Sequence, residues 1–176
     1  MYSFIGVTPD ILAATTIRED ASVRTLIIAA ALLACAAHAQ DKGAKMSADA
    51  NRGRYLVVTA GCNDCHTPGY PQAGGKVDEK LWLTGEKLGW RGPWGTTYAP
   101  NLRLLASKMT ESQWMARARS EMRPPMPWFN LRDMSDRDVR AIYRWLKHMG
   151  PAGEPAPAYL PPDKTPQPPF VQFPMK

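Results

Sequence analysis

Two cysteines three positions apart, the second followed at once by a histidine, stand in the stretch GCNDCHTPG, residues 61–69. The 176-residue chain has one other cysteine, Cys35, and two other histidines, His38 and His148. That scarcity narrows what the pair can be. A bridge between Cys62 and Cys65 closes almost no loop and so contributes little stability. A closed zinc site needs four ligands, and adjacent Cys65 and His66 are badly placed to face one ion together. A dithiol of the thioredoxin kind belongs at a strand-to-helix junction in a βαβ setting. Here ADANRGRYLVVTA, ahead of the motif, reads as a helix that stops at Gly61, and no βαβ pattern follows.

The N-terminal stretch bears on compartment. Arg24 precedes TLIIAAALLACAA, an apolar run of 13 residues, and the run ends in Ala37-His38-Ala39. This is the charged, apolar and small-residue order of a secretory signal peptide, residues 1–39. The run is shorter than the roughly 20 apolar residues a spanning helix needs. It also lacks the polar face of a helix packed on a core. A periplasmic location is expected. The sequence LLAC at 32–35 is a loose lipobox, so a lipid anchor on Cys35 is an alternative route. The 23 residues before Arg24 carry Asp10, Glu19 and Asp20, which is unusual ahead of an apolar signal core. Initiation near Val23 would account for them.

Cleavage after Ala39 leaves Cys62 and Cys65 as the only thiols. Covalent haem then uses every residue type in the motif. Two thiols on one helical turn reach the two vinyl groups along one porphyrin edge, and His66 follows as proximal ligand to the iron. One such motif implies one haem c.

The second axial ligand decides between a closed and an open iron. Most methionines have a structural use. Thr110 and Gln113 form a capping box, with Met109 and Trp114 as its hydrophobic staple. Ser135 and Asp138 cap a further helix, stapled by Met134 and Val139. Met115 falls within the first of these helices. His148 and Met149 lie in the last turn of the second, before Gly150 and Pro151, where His148 suits the negative end of the helix dipole. Met126 remains, between Pro125 and Pro127 in EMRPPMPWFN, a segment kept extended and out of helix. It is the expected soft ligand, with Met122 in reserve and a gap-filling Met126 as the ordinary alternative.

Residues 47–150 resemble a class I monohaem cytochrome c. The likeness rests on NRGRYLVVTAGCNDCHTPG, on YAPNL at 98–102, on PPMPWF at 124–129 and on the capped SDRDVRAIYRWLKHMG at 135–150. Within that family the motifs CNDCHTPG, GPWG..YAPNL and MPW are similar to cytochrome domains that serve membrane-associated quinoprotein dehydrogenases. The resemblance implies Cys62 and Cys65 as thioether sites and His66 and Met126 as axial ligands. It also implies that the Pro100 carbonyl accepts the proton on the outer nitrogen of His66. It further implies a mainly α cytochrome c fold, in which N- and C-terminal helices cross over a covalently bound haem.

The residues agree with a domain at 40–150. Val139, Ile142, Tyr143, Leu146 and Met149 make one apolar stripe at helical spacing. Gly53 would let Trp145 or Tyr143 pack directly on the first helix. Residues 67–97 hold seven glycines and Trp82, Trp90 and Trp94. They read as a long ordered loop, with a short ribbon around LWLTGEKLGW and with the Arg91–Trp94 stretch over the haem propionates. Residues 151–176 carry nine prolines and read as an extended tail, solvated or pinned by Tyr159, Phe170 and Phe173.

Charge speaks to partners. The whole chain has 22 Lys plus Arg against 16 Asp plus Glu; losing residues 1–39 removes Arg18 and Arg24 and three acidic residues, leaving 20 against 13. Nine of the basic residues fall between Arg103 and Arg144. A basic face would steer acidic redox proteins. The expected donor is a dehydrogenase and the acceptor another cytochrome or a terminal oxidase. Membrane association would come through such a partner or the lipid anchor, and nucleic acid is not an expected partner. No paired carboxylates, Ser/His/Asp set or phosphate loop stands out, so an electron carrier is expected rather than an enzyme. The alternative is a haem enzyme with a displaceable distal ligand, acting on a small sulfur compound or peroxide.

Overall fold

A computed structural model describes residues 46–175 of the chain. The signal-peptide reading of residues 1–39 and the lipobox at Cys35 lie outside the described residues. The first helix, α1 (Ala48–Thr59), starts where the Ser47 hydroxyl accepts a hydrogen bond from the Ala50 amide, and Gly61, at φ 69°, turns the chain directly into α2 (Cys62–His66). A left-handed backbone at that corner is cheap only for glycine. The cysteine motif therefore sits on one rigid turn fastened to the end of a longer helix.

The longest helix, α6 (Asp136–Met149), is capped by Ser135, carries Asp136 and Asp138 at its positive end, and stops at Gly150 with φ 66°. Val139, Ile142, Tyr143 and Leu146 of the apolar stripe are buried and Met149 is half-buried, and Trp145, outside the stripe, is buried as well. Helix α1 crosses α6 at Gly53. A Cβ there would lie 2.0 Å from the Ala141 carbonyl oxygen and 2.9 Å from the Trp145 Cβ. So the Ala141 backbone and Trp145 stand nearest Gly53, ahead of Tyr143. Its hydroxyl donates instead to the Met109 carbonyl at 2.8 Å, beside Trp114.

Between these helices lie α3 (Leu102–Ser107), α4 (Glu111–Arg119) and α5 (Trp128–Asp133). The capping box at Thr110 and Gln113 forms with both of its reciprocal bonds. Helices α3 and α5 were not anticipated; each is six residues long, too short to show a period. Asn101 nucleates α3 by accepting from the Leu104 amide, and its own amide donates to the carbonyls of Ala152 and Glu154.

The ribbon lies about eight residues later than expected around 81–90. Strand β1 (Gly89–Gly92) pairs antiparallel with β2 (Gly95–Tyr98), around Pro93 and Trp94. Residues 81–88 are drawn elsewhere because Leu83, buried at φ 58°, links two parts of the core. Its amide donates to the Thr67 hydroxyl, and its carbonyl accepts from the Leu102 amide. The tail returns to this ribbon as β3 (Phe170–Gln172), parallel to β1 on the free edge, giving the order β2-β1-β3. Phe173 packs against Trp90 and Trp94. Proline confines such a tail to an edge, where missing amide donors are tolerated.

Candidate haem site

Cys62, Cys65 and His66 line one apolar cleft. Its other walls come from Trp90, Thr97 and Tyr98 of the ribbon, from Leu102 and Leu105 of α3, and from Trp114 and Ala118 of α4. The segment 122–127 adds Met122 and Met126, and Ile142 of α6 also reaches it. The motif helix is braced from below. The Gly85 amide donates to the His66 carbonyl at 2.8 Å, and the Thr67 hydroxyl donates to the buried Asn63 side chain at 2.7 Å.

His66 is 5 % exposed, and its Nδ1 lies 2.8 Å from the Pro100 carbonyl oxygen. A carbonyl can only accept, so Nδ1 carries the proton and Nε2 holds a free lone pair. Burial pushes the imidazolium down, with the Pro100 carbonyl working the other way, so the ring is neutral. A neutral imidazole with its outer nitrogen fixed is the form that ligates iron.

The thiols argue against a redox dithiol. Burial pushes Cys62 up to about 11, and burial followed by the Asp64 carboxylate also raises Cys65. A catalytic dithiol needs the opposite shift. Zinc fares no better: among the described residues no group of three or more His, Cys, Asp or Glu could hold a metal ion. His148 is exposed in the last turn of α6 and does not line the cleft.

Two free thiols on one turn, a buried neutral imidazole with one uncommitted nitrogen, and apolar walls together fit a covalently attached haem c. Met126 and the reserve candidate Met122 both line the cleft, and Pro100 lines it beside His66. Met134 does not line it and packs against the core below α6.

Several lining residues have other expected parts: Trp90 in the long loop, Tyr159 as a pin of the tail, and Arg117 and Arg123 in the basic surface. Trp90 lines the cleft, whereas Arg91, Gly92, Pro93 and Trp94 do not. Trp94 turns back onto Gly92 and Phe173. Arg117 and Arg123 reach the cleft with exposed side chains, and Tyr159 reaches it from the tail. Arg103, counted above with the basic surface, is buried. Its guanidinium donates to the carbonyls of Lys80, Met149 and Gly150, closing the end of α6. Little in the sequence marks these residues, since arginines and tyrosines outside helix stripes carry no spacing signal.

The Cytochrome c family model matches residues 50–150, more than half of the chain. Comparison with curated proteins and with solved structures gave no significant match. The matched stretch runs from α1 through the CxxCH turn and the Met126 segment to the end of α6. The chain belongs to the cytochrome c family, whose members carry electrons on covalently bound haem c.

Proposed function

We propose that this chain is a periplasmic one-electron carrier in which His66 and Met126 fill both axial positions of a single haem c. The observation that carries the reading is that the buried His66, with Nε2 free, and Met126 line the same apolar cleft. The bound haem supplies a reversible ferric/ferrous couple. The chain's own residues do the rest. Pro100 fixes the imidazole and raises its basicity as a ligand. A thioether at Met126 favours the ferrous state and raises the potential. The apolar walls would exclude water, and two axial ligands from the protein would leave no substrate site at the iron, so the protein acts as a carrier rather than an enzyme.

Arg117 and Arg123 make no ion pair with another of the described residues, and their exposed side chains sit at the cleft. Such cations at a haem edge favour acidic partners and a salt-sensitive encounter. The motif likeness supports a dehydrogenase of the quinoprotein kind as donor and a cytochrome or terminal oxidase as acceptor. Export by residues 1–39 would bring the chain to that compartment, in soluble form or lipid-anchored at Cys35. Among the described residues no helix is long and apolar enough to cross a membrane.

The test is Met126→Ala in the haem-loaded protein. It is expected to abolish the methionine–iron charge-transfer band, open the ferrous iron to carbon monoxide and lower the potential. Met134→Ala, from the staple below α6, is expected to change stability only. Unaltered ligation in Met126→Ala, with loss in Met122→Ala, would move the ligand to Met122. A wild-type protein that binds carbon monoxide freely would favour the enzyme reading.

A further inference from the structure

The family model ends at residue 150, yet a residue beyond it reaches the cleft. Tyr159 is half-buried, and its hydroxyl donates to the Trp94 carbonyl at 2.8 Å. The next residue, Leu160, exchanges two backbone hydrogen bonds with Thr96 of β2, at 2.7 and 3.0 Å. The fit there is tight. A Cβ at Gly95 would stand 2.3 Å from the Leu160 carbonyl oxygen and 2.9 Å from the Tyr159 ring. The tail is thus locked to β2 at the point where Tyr159 projects.

The segment that Tyr159 meets is poorly able to brace itself. Pro124, Pro125 and Pro127 have no amide hydrogen to donate. The backbone bonds within it are Met126 N–H to the Arg123 carbonyl, at 3.3 Å, and Trp128 N–H to the Met126 carbonyl, at 2.8 Å. After Met126, the Pro127 carbonyl accepts from the Asn130 amide at 3.0 Å as α5 begins; ahead of Met126, outside ties meet two adjacent residues. The Thr97 hydroxyl of β2 donates to the Pro124 carbonyl at 2.7 Å, and the Arg123 guanidinium carbon lies 4.0 Å from the centre of the Tyr159 ring. A guanidinium over a tyrosine face is attracted by the ring quadrupole, more strongly where water is partly excluded.

We propose that Tyr159 is a positioning residue for the axial methionine. The tail holds Tyr159, Tyr159 holds Arg123, and Arg123 keeps the proline-rich segment from swinging Met126 out of the cleft. The proposal rests on the reading of Met126 as ligand. It gives the C-terminal segment a part in ligation, beside the tie that Thr97 of the matched domain makes to Pro124.

The experiment compares wild-type, Tyr159→Leu, Tyr159→Phe, Arg123→Gln and the Leu/Gln double variant, all as haem-loaded full-length protein. The readouts are ferrous carbon monoxide binding, the methionine–iron band, and amide hydrogen exchange of residues 122–128. Tyr159→Leu and Arg123→Gln are each expected to raise the carbon monoxide rate and the exchange about tenfold, the equivalent of about 1.4 kcal/mol in segment opening. The double variant should go no further, because both substitutions remove one contact. Tyr159→Phe keeps the ring under Arg123 and should stay within about twofold of wild type. Unchanged rates in Tyr159→Leu, or effects that multiply in the double variant, would overturn the proposal. Should Tyr159→Leu fail to fold, Arg123→Gln reads the same contact with the tail's own anchors intact. A wild-type protein without the methionine–iron band would instead sink the ligand reading underneath it.

Discussion

The α1–α6 crossing and the Met126 segment are held by different forces. The α1–α6 crossing is a contact of backbone on backbone, with Gly53 against Ala141 and the buried Trp145 and Leu146 around it. The Met126 side is a proline-rich segment tied to β2 and the tail by one hydroxyl bond and one ring. The first gains from close packing, which is cooperative and intolerant of added volume. The second gains from separate polar ties of modest worth, each of which can be loosened alone. The helix crossing is thus the stiffer of the two, and the Met126 segment the more easily loosened.

The sharpest way to break the contrast is Gly53→Ala. A methyl group cannot share space with the Ala141 carbonyl oxygen at 2.0 Å, and both helices would have to part. A loss of about 3 kcal/mol is expected, at the upper end for overpacking. Denaturant unfolding of the haem-loaded protein measures it. A loss below about 1 kcal/mol would mean that the crossing yields as easily as the methionine side.

Thr97→Val tests the other region at smaller amplitude. It keeps the side-chain shape and removes the donor to the Pro124 carbonyl. About 1 kcal/mol is expected, and it should show as faster amide exchange confined to 122–128, with the α6 amides unchanged. Exchange that quickens throughout would mean the two regions unfold as one.

The smallest effect concerns the surface of the crossing. Arg52 of α1 donates to Asp138 of α6, and this bond holds the Asp138 carboxyl below the usual carboxylate range. A depressed folded-state pKa contributes stability above the ordinary carboxylate value and loses it as pH falls through the lowered one. Asp138→Asn should therefore cost under about 1 kcal/mol at neutral pH, as half-exposed pairs do. It should also flatten part of the acid limb of stability against pH. A wild-type acid limb in the variant would remove the pair from the account.

The helical side was largely readable. Thr110 with Gln113, Ser135 with Asp138, and Gly150 are local signals that act within one turn, and each forms as the spacing implied. The CxxCH turn was readable for the same reason, because its chemistry lies within five residues. The ribbon was misplaced by its start, since Leu83 takes a left-handed backbone to serve Thr67 and Leu102, partners that no local pattern names. The burial of Arg103 was missed because its acceptors are backbone carbonyls, which every residue carries.

By itself the sequence determined a single haem attachment turn, the caps and apolar stripe of α6, and a short list of methionines for the iron. Only the tertiary structure decided that the tail joins the sheet as β3 and that Tyr159 stands against Arg123, while the contact of the Pro100 carbonyl with His66 Nδ1 was implied by the family resemblance and by no local pattern. The physical reason is range. A cap or a stripe is written in side chains three or four residues apart, where helix geometry alone brings them together. The other contacts join groups 34, 36 and 81 positions apart. Two of them use backbone groups, so they exist only once the core has brought the segments side by side.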